Sequence, residues 1–209
     1  MDRNDTLQST PPIFTIGYGK RHIGDFVKLL VAQEIQCLID VRSFPFAKYN
    51  KDFSQATLKG YLEAEGIIYR DLGKELGGRP QGSQYYNDDN RVNYTVLSQS
   101  EPFKSGIKKL LDAVGKKFRC VLMCSEERPS QCHRTKLIGE VLIMHNIELQ
   151  HIDECGKVLS HAKVIEQIIS PIIQNQLFSD QQPENLDRKL LLEQSIHTYS
   201  SSGKFRDDA

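Results

Sequence analysis

The sequence predicts an α/β protein: a mostly parallel sheet of about five strands with helices on both faces, three layers in all. Two observations predict it. Short apolar runs alternate along the chain with segments of helical periodicity. One run, Cys120-Val121-Leu122-Met123-Cys124, is apolar throughout, as a central strand covered on both faces is. Right-handed crossovers then point every strand the same way, and ligands of such sheets bind beyond the carboxyl ends of the strands.

Residues 1–12 are polar, end in Pro11-Pro12 and read as a flexible arm. Ile13-Phe14-Thr15-Ile16 is a short buried strand closed by Gly17-Tyr18-Gly19. Residues 22–34 place Phe26, Leu29 and Leu30 on one helical face. Cys37-Leu38-Ile39-Asp40-Val41 is the second strand, followed by a loop with Arg42, Pro45, Lys48 and Lys51. Ser54 has the chemistry of an N-cap for a helix with Leu58, Tyr61 and Leu62 as its stripe, and Gly66 ends that helix.

Ile67-Ile68-Tyr69 is the third strand. Residues 71–90 hold Gly73, Gly77-Gly78, Pro80 and Gly82, and a loop this long inside a domain is more often functional than not. A helical region covers 94–114, interrupted near Pro102. After the fourth strand, 120–124, a loop leads to a helix over 132–145 with Leu137, Ile138, Val141 and Leu142 inward. Residues 148–152 form a fifth strand, and a helix over 160–169 is broken by Pro171 before resuming weakly to Leu177. Residues 13–178 thus read as a single α/β domain and 179–209 as a polar tail, with one helix expected over 184–194.

Composition narrows the function classes. Lys plus Arg and Asp plus Glu each number 27, so the formal net charge is zero. The basic surplus usual in a nucleic-acid binder is missing, although a local basic patch is compatible with these totals. No apolar run reaches the ~18 residues of a membrane span. The start, Met1-Asp2-Arg3-Asn4-Asp5, lacks the apolar stretch of a signal peptide, so a cytoplasmic protein with no membrane contact is expected. Five cysteines, an odd number without a secretion signal, argue for free thiols. Cys37 and Cys120, within apolar strands, read as small core residues.

Reactive residue types gather where the strands end: Gly17-Tyr18-Gly19 after the first, Asp40 and Arg42 after the second, Cys124-Ser125-Glu126 after the fourth, and His151 and Asp153 after the fifth. Cys132-His133-Arg134 opens a helix, where free N–H groups and the dipole favour a thiolate or an anion. The alternative is that Cys132 packs and His133 caps. Arg42 and Arg134 suit a phosphate or carboxylate, or else pair with Asp40 or Glu126 and tie loops together. Glu126 is a candidate general acid or base, or the partner of Arg134. His151 is either a site residue or a satisfied core histidine.

Spacing argues against cofactors. No Gly-x-Gly-x-x-Gly and no Walker loop is present. Zinc would need Cys124, Cys132 and His133, perhaps with Glu126. However, no Cys-x-x-Cys pair exists, and adjacent Cys132 and His133 are expected to point apart, so no metal is expected. A phosphatase-type loop also fails, because Ser130 stands where its arginine belongs.

At these motifs the chain resembles the domain-of-unknown-function family 488, from about Phe14 to Gly156. The resemblance rests on Thr15-Ile16-Gly17, Asp40-Val41-Arg42 with Pro45, Tyr69, Leu72, Leu76-Gly77-Gly78, Phe103, Gly106 and Leu110. Its most specific pieces are Cys124-x-Glu126 and Cys132-His133-Arg134, with His151-Ile152 and Gly156 closing the pattern. Where many relatives resemble Gly-His-Ser after the first strand, this chain has Gly17-Tyr18-Gly19, so a histidine there is absent or replaced by Tyr18. The resemblance implies shared geometry and names no reaction.

Three functions compete. The leading expectation is an enzyme acting on an anionic substrate, phosphate- or carboxylate-bearing and including nucleotides or nucleic-acid ends, at the carboxyl edge of the sheet. In it Glu126, Cys132 and Cys124 are catalytic, while Arg42, His133, Arg134, Tyr18 and His151 bind substrate. The alternative is a non-catalytic nucleotide or nucleic-acid binding module using Lys48, Lys51, Arg79 and Arg91 on phosphates and Tyr49, Tyr85 and Tyr86 on bases. The third is a structural knot. A knot predicts Glu126 and Arg134 buried and mutually satisfied, and a site predicts spare donors.

Overall fold

Phe14 and Ile16 face one side of the first strand and Ile13 and Thr15 the other, and all four are buried, so that strand has to lie inside a sheet covered on both faces. A computed structural model, describing residues 10–177, places it there. The tail expected from 179 and the helix expected over 184–194 lie outside the described residues, as does most of the N-terminal arm.

In chain order the elements begin with β1 (Ile13–Gly17), α1 (Ile23–Ala32), β2 (Cys37–Asp40), α2 (Gln55–Ala64) and β3 (Ile68–Asp71). Next come α3 (Gly73–Leu76), α4 (Tyr94–Ser98), α5 (Glu101–Gly115) and β4 (Cys120–Cys124). A π-helix (Arg134–Gly139) then runs into α6 (Glu140–Met144), followed by β5 (Leu149–Ile152), β6 (Val158–Ser160) and α7 (His161–Leu177). The sheet order is β3-β2-β4-β1-β5-β6, with β1 to β5 parallel and β6 antiparallel at the edge.

The crossovers run one way on one face and back on the other. Phe26 and Leu30 of α1 and Leu58 and Leu62 of α2 pack with Phe14, Ile16, Leu38, Val121 and Met123. Phe103, Ile107 and Leu110 of α5, with Leu137, Ile138 and Leu142, cover the opposite face against Ile13, Ile39, Leu122 and Leu149. This is the expected three-layer α/β fold. β4 lies between β2 and β1, so three strands that carry the chemistry-bearing motifs end side by side.

Local chemistry differs from expectation in four places. Ser54 is the N-cap of α2 but its side chain does not cap; its Oγ accepts from the Ala47 N–H instead. The interruption expected near Pro102 is there but falls earlier, at Gln99 and Ser100: Ser100 accepts from the Phe103 N–H and starts a new helix with Pro102 in its first turn. Pro171 does not break α7, which runs on to Leu177. Finally, the helix expected over 132–145 begins as a fully buried π-helix, a wide turn usual at functional sites. Among the described residues no helix is long and apolar enough to cross a membrane.

Candidate functional site

The site forms where the end of β4 meets the entry to the π-helix. Cys124 is the last residue of β4, and Glu126 follows on a turn against β1. Tyr18 and Gly19 donate their backbone N–H groups to the Cys124 and Ser125 carbonyls. Gly17 makes this possible: a Cβ there would stand 1.8 Å from the Glu126 carbonyl oxygen.

A 3-10 turn (Pro129–Gln131) then delivers Cys132 in extended conformation (φ −116°, ψ 145°) and His133 in helical conformation (φ −61°, ψ −24°). That change of backbone direction swings both side chains to one side. Cys132 Sγ lies 3.6 Å from His133 Nδ1, and Cys124 Sγ lies 3.7 Å from the same nitrogen. The expectation that Cys132 and His133 diverge is therefore wrong, because it assumed both residues already sit in a regular helix. Glu126 completes the group: its Oε2 accepts from Cys124 Sγ and, at 3.4 Å, from Cys132 Sγ. One donor atom from each of Cys124, Glu126, Cys132 and His133 lies within 4.8 Å of the others.

His133 is held from behind. Its Nε2–H donates to the Val41 carbonyl at 3.1 Å, an assignment that leaves Nδ1 facing the sulfurs, a lone-pair nitrogen whenever the ring is neutral. Gly78 packs flat on the ring, where a Cβ would be 2.8 Å from His133 Cγ. The Arg134 N–H donates to Cys132 Sγ at 3.4 Å. The cysteines and His133 are buried, whereas Glu126 has exposed surface and turns its carboxylate inward.

Electrostatics follow from this packing. Burial raises the Glu126 carboxyl, but His133 and the two thiol donors outweigh it and bring it down to about 2. Burial and the neighbouring Cys132 push the Cys124 thiol well above its usual value. Burial works against charge on His133, yet Cys124 and Glu126 outweigh it and favour the imidazolium. Tyr94, beside the same three acidic groups, is pushed up mainly by burial.

The arginines are placed differently from expectation. Arg42 is 4% exposed and forks onto Asp40, with a further bond from Nη1 to the Phe53 carbonyl. Tyr69 donates to the same carboxylate at 2.8 Å. Arg134, fully buried, donates from Nη1 and Nη2 to the carbonyls of Glu126 and Glu127, not to the Glu126 carboxylate. Both are engaged internally, which is the loop-tying alternative. The Arg134 Nε and Thr135 Oγ1 are buried without a hydrogen-bond partner among the described residues.

Tyr18 stacks on Phe53 at 4.4 Å with the Arg42 guanidinium over its ring, so it belongs to the wall of the Arg42 clamp. His151 is not brought to the cluster. It is fully buried on the face covered by the π-helix, bonded to Thr15 at 2.7 Å and to His161 at 3.0 Å, and His161 bonds Glu140 at 2.9 Å. Sequence reasoning placed it at the site because its strand ends nearby, but its ring points along the core.

Arg79, given only to the nucleic-acid alternative, is exposed and directly follows the Gly78 that lies on His133. The signal for it was Leu76-Gly77-Gly78, whose small residues permit close approach. A cleft of about 310 Å³ opens on the other side of the 129–131 turn, crossed by an Arg128–Glu154 ion pair at 3.3 Å, and none of its lining residues belongs to the cluster.

Fold and cluster together define a three-layer α/β protein with a thiol, imidazole and carboxylate centre at the carboxyl edge of its sheet. The chain belongs to the family described as Domain of unknown function DUF488, whose pattern matches residues 22–141. That span contains Asp40-Val41-Arg42, Leu76-Gly77-Gly78, Cys124-x-Glu126 and Cys132-His133-Arg134, and it stops short of Thr15-Ile16-Gly17 and His151. No curated protein and no solved structure matches the chain.

Proposed function

We propose that the protein is an enzyme acting on an anionic substrate at the carboxyl edge of the sheet, with Glu126 as the proton-transferring group. One observation carries this reading: four groups able to move protons or attack an electrophile converge within 4.8 Å, and only Glu126 has exposed surface. A carboxylate held at about 2 stays ionised at neutral pH, so Glu126 accepts a hydrogen bond from and orients an attacking water or hydroxyl, although its low value makes it a weak base. Cys124, Cys132 and His133 shape the centre from below. With Arg42 and Arg134 engaged internally, the anion falls to the exposed Arg79, which has no carboxylate partner among the described residues.

The test compares wild type with Glu126→Gln on p-nitrophenyl acetate, p-nitrophenyl phosphate and bis(p-nitrophenyl) phosphate. Turnover of at least one probe, falling about 100-fold or more in a folded Glu126→Gln, supports the reading. Equal rates for the two proteins, or no turnover of any probe, count against it.

A second reading, a nucleotide or nucleic-acid binding module, is favoured by the loop after β2. Phe44, Phe46 and Tyr49 are 64%, 72% and 94% exposed, and the Lys48 ammonium lies over Tyr49. Labelled single strands that bind with no salt dependence, or not at all, would remove it.

A further inference from the structure

The four groups of the cluster have an arrangement that proton transfer alone does not require. Two thiols, an imidazole lone pair and a carboxylate aim at one point from two separate backbone arms, β4 with its turn and the entry to the π-helix. We propose that Cys124, Cys132, His133 and Glu126 hold one zinc ion, with Glu126 at the solvent-facing position.

The distances carry this. Tetrahedral zinc with its usual bonds to sulfur, nitrogen and oxygen sets its ligand atoms about 3.5–3.8 Å apart. The cluster shows 3.7 Å from Cys124 Sγ to His133 Nδ1, 3.6 Å from Cys132 Sγ to Nδ1 and 3.4 Å from Cys132 Sγ to Glu126 Oε2. Two of the tetrahedron's six edges are thus already spaced for an ion, and a third is short by about 0.1–0.2 Å. The remaining close pair, Cys124 and Glu126, separates on loading by rotation of the Glu126 side chain, which has open space on its solvent side.

The surroundings are those of a metal ligand set. The His133 Nε2–H bond to the Val41 carbonyl fixes the tautomer that leaves Nδ1 free to coordinate, the backing that metal-bound histidines almost always have. The Arg134 N–H already donates to Cys132 Sγ, a contact that favours the thiolate. The donor set decides the metal: two thiolates with one imidazole select zinc over the hard cations calcium and magnesium, which take oxygen ligands. Loading balances as two thiols and one Zn²⁺ giving two zinc–thiolate bonds and two protons released to solvent, with any proton on Nδ1 leaving as well.

The inference deepens the enzyme reading and rests on the same four residues. Four protein ligands would close the site as in a structural zinc centre. A water or substrate oxygen would reach the ion, and zinc would act on it as a Lewis acid, only with the exposed Glu126 released from it to serve as the proton acceptor.

The experiment uses the full chain, reduced and stripped with a chelator, then titrated with Zn²⁺ and with Co²⁺. The expected result is one ion per chain, at least two protons released per zinc, and a cobalt spectrum with an intense sulfur-to-metal charge-transfer band. Cys132→Ser should weaken zinc binding about 100-fold or more. Loss of a buried thiol also perturbs the fold, so the wild-type spectrum decides. Stripped wild-type protein of native circular dichroism that takes up no zinc, or gives cobalt without the sulfur band, overturns the proposal.

The two readings fail separately. One zinc per chain with a Glu126→Gln variant that turns over every probe as wild type does refutes the enzyme and leaves the metal. Stripped, folded protein that takes up no zinc yet turns over a probe, with turnover lost in Glu126→Gln, refutes the metal and leaves the enzyme.

Discussion

Replacing Asp40 by Asn keeps the side chain's shape and removes one charge, and its effect can be worked from the contacts. Asp40 is fully buried and accepts from the Arg42 N–H at 3.1 Å, from Arg42 Nε at 2.9 Å, from Arg42 Nη2 at 2.5 Å and from Tyr69 at 2.8 Å. Asn presents an amide NH₂ to donors that need an acceptor, and it leaves a guanidinium with 4% exposure without its counter-charge. Breaking a buried pair from one side costs about 3–5 kcal/mol. With a urea slope of about 2 kcal/mol per M, the unfolding midpoint falls by about 1.5–2.5 M. Asp40→Asn with Arg42→Met removes the stranded charge and should recover about half of that loss or more. A single variant that shifts the midpoint by under about 0.5 M, or a double variant with no recovery, refutes the reasoning. The pair also brackets Val41, whose carbonyl orients His133. A folded fraction of Asp40→Asn should therefore bind zinc about 10–100-fold more weakly than wild type.

Gly17→Ala drives a Cβ to 1.8 Å from the Glu126 carbonyl oxygen; a loss of about 3 kcal/mol, or about 6–12 °C in Tm, is expected, and an unchanged melt would contradict the close approach. Arg134→Leu strips the Glu126 and Glu127 carbonyls of their donors at a cost of about 2–4 kcal/mol, read from urea midpoints, and a neutral result would mean that water already serves them. His151 is held well below its ordinary 6.5 by burial first, then by His161 and Arg134. The unfolded chain thus takes up the proton first. Stability is full above about 6.5 and falls by about 1.4 kcal/mol per pH unit below it, until the folded ring also protonates. His151→Gln removes that slope, and denaturation midpoints at pH 7, 6 and 5 that keep it would point to another group.

Four strands were legible because each carries a short apolar run, and Phe14, Leu38 and Val121 need no context to read as buried; the fifth was read from Leu149 and Ile152 around the polar Gln150 and His151. β6 was not, since Val158–Ser160 is short and half-exposed and forms only because β5 offers an edge. The π-helix was equally hidden: Leu137, Ile138, Val141 and Leu142 suit either winding. At the site, residue type identified Cys124, Glu126, Cys132 and His133, but their convergence depends on the backbone change between residues 132 and 133. Arg42 and Arg134 were misjudged because a guanidinium's partners are set by tertiary packing. Asp40 is two residues from Arg42, whereas the carbonyls that hold Arg134 belong to a turn whose path the sequence does not display. His151 illustrates the same limit, since the partner that holds it, His161, lies at the start of the following helix.

The central place of β1 bears on how the chain is made. Thr15 lies beside Leu122 on one side and His151 on the other, so among the described strands β1 has no neighbour until β4 emerges from the ribosome. Ile13-Phe14-Thr15-Ile16 must wait, apolar and unpaired, while the roughly one hundred residues up to β4 are made, a non-local topology that folds slowly and suits chaperone capture. The cluster is bound by the same order of events. Gly17 waits for Glu126, and Val41 waits for His133, so the chemistry of this protein is assembled only once residues 126–133 have been made.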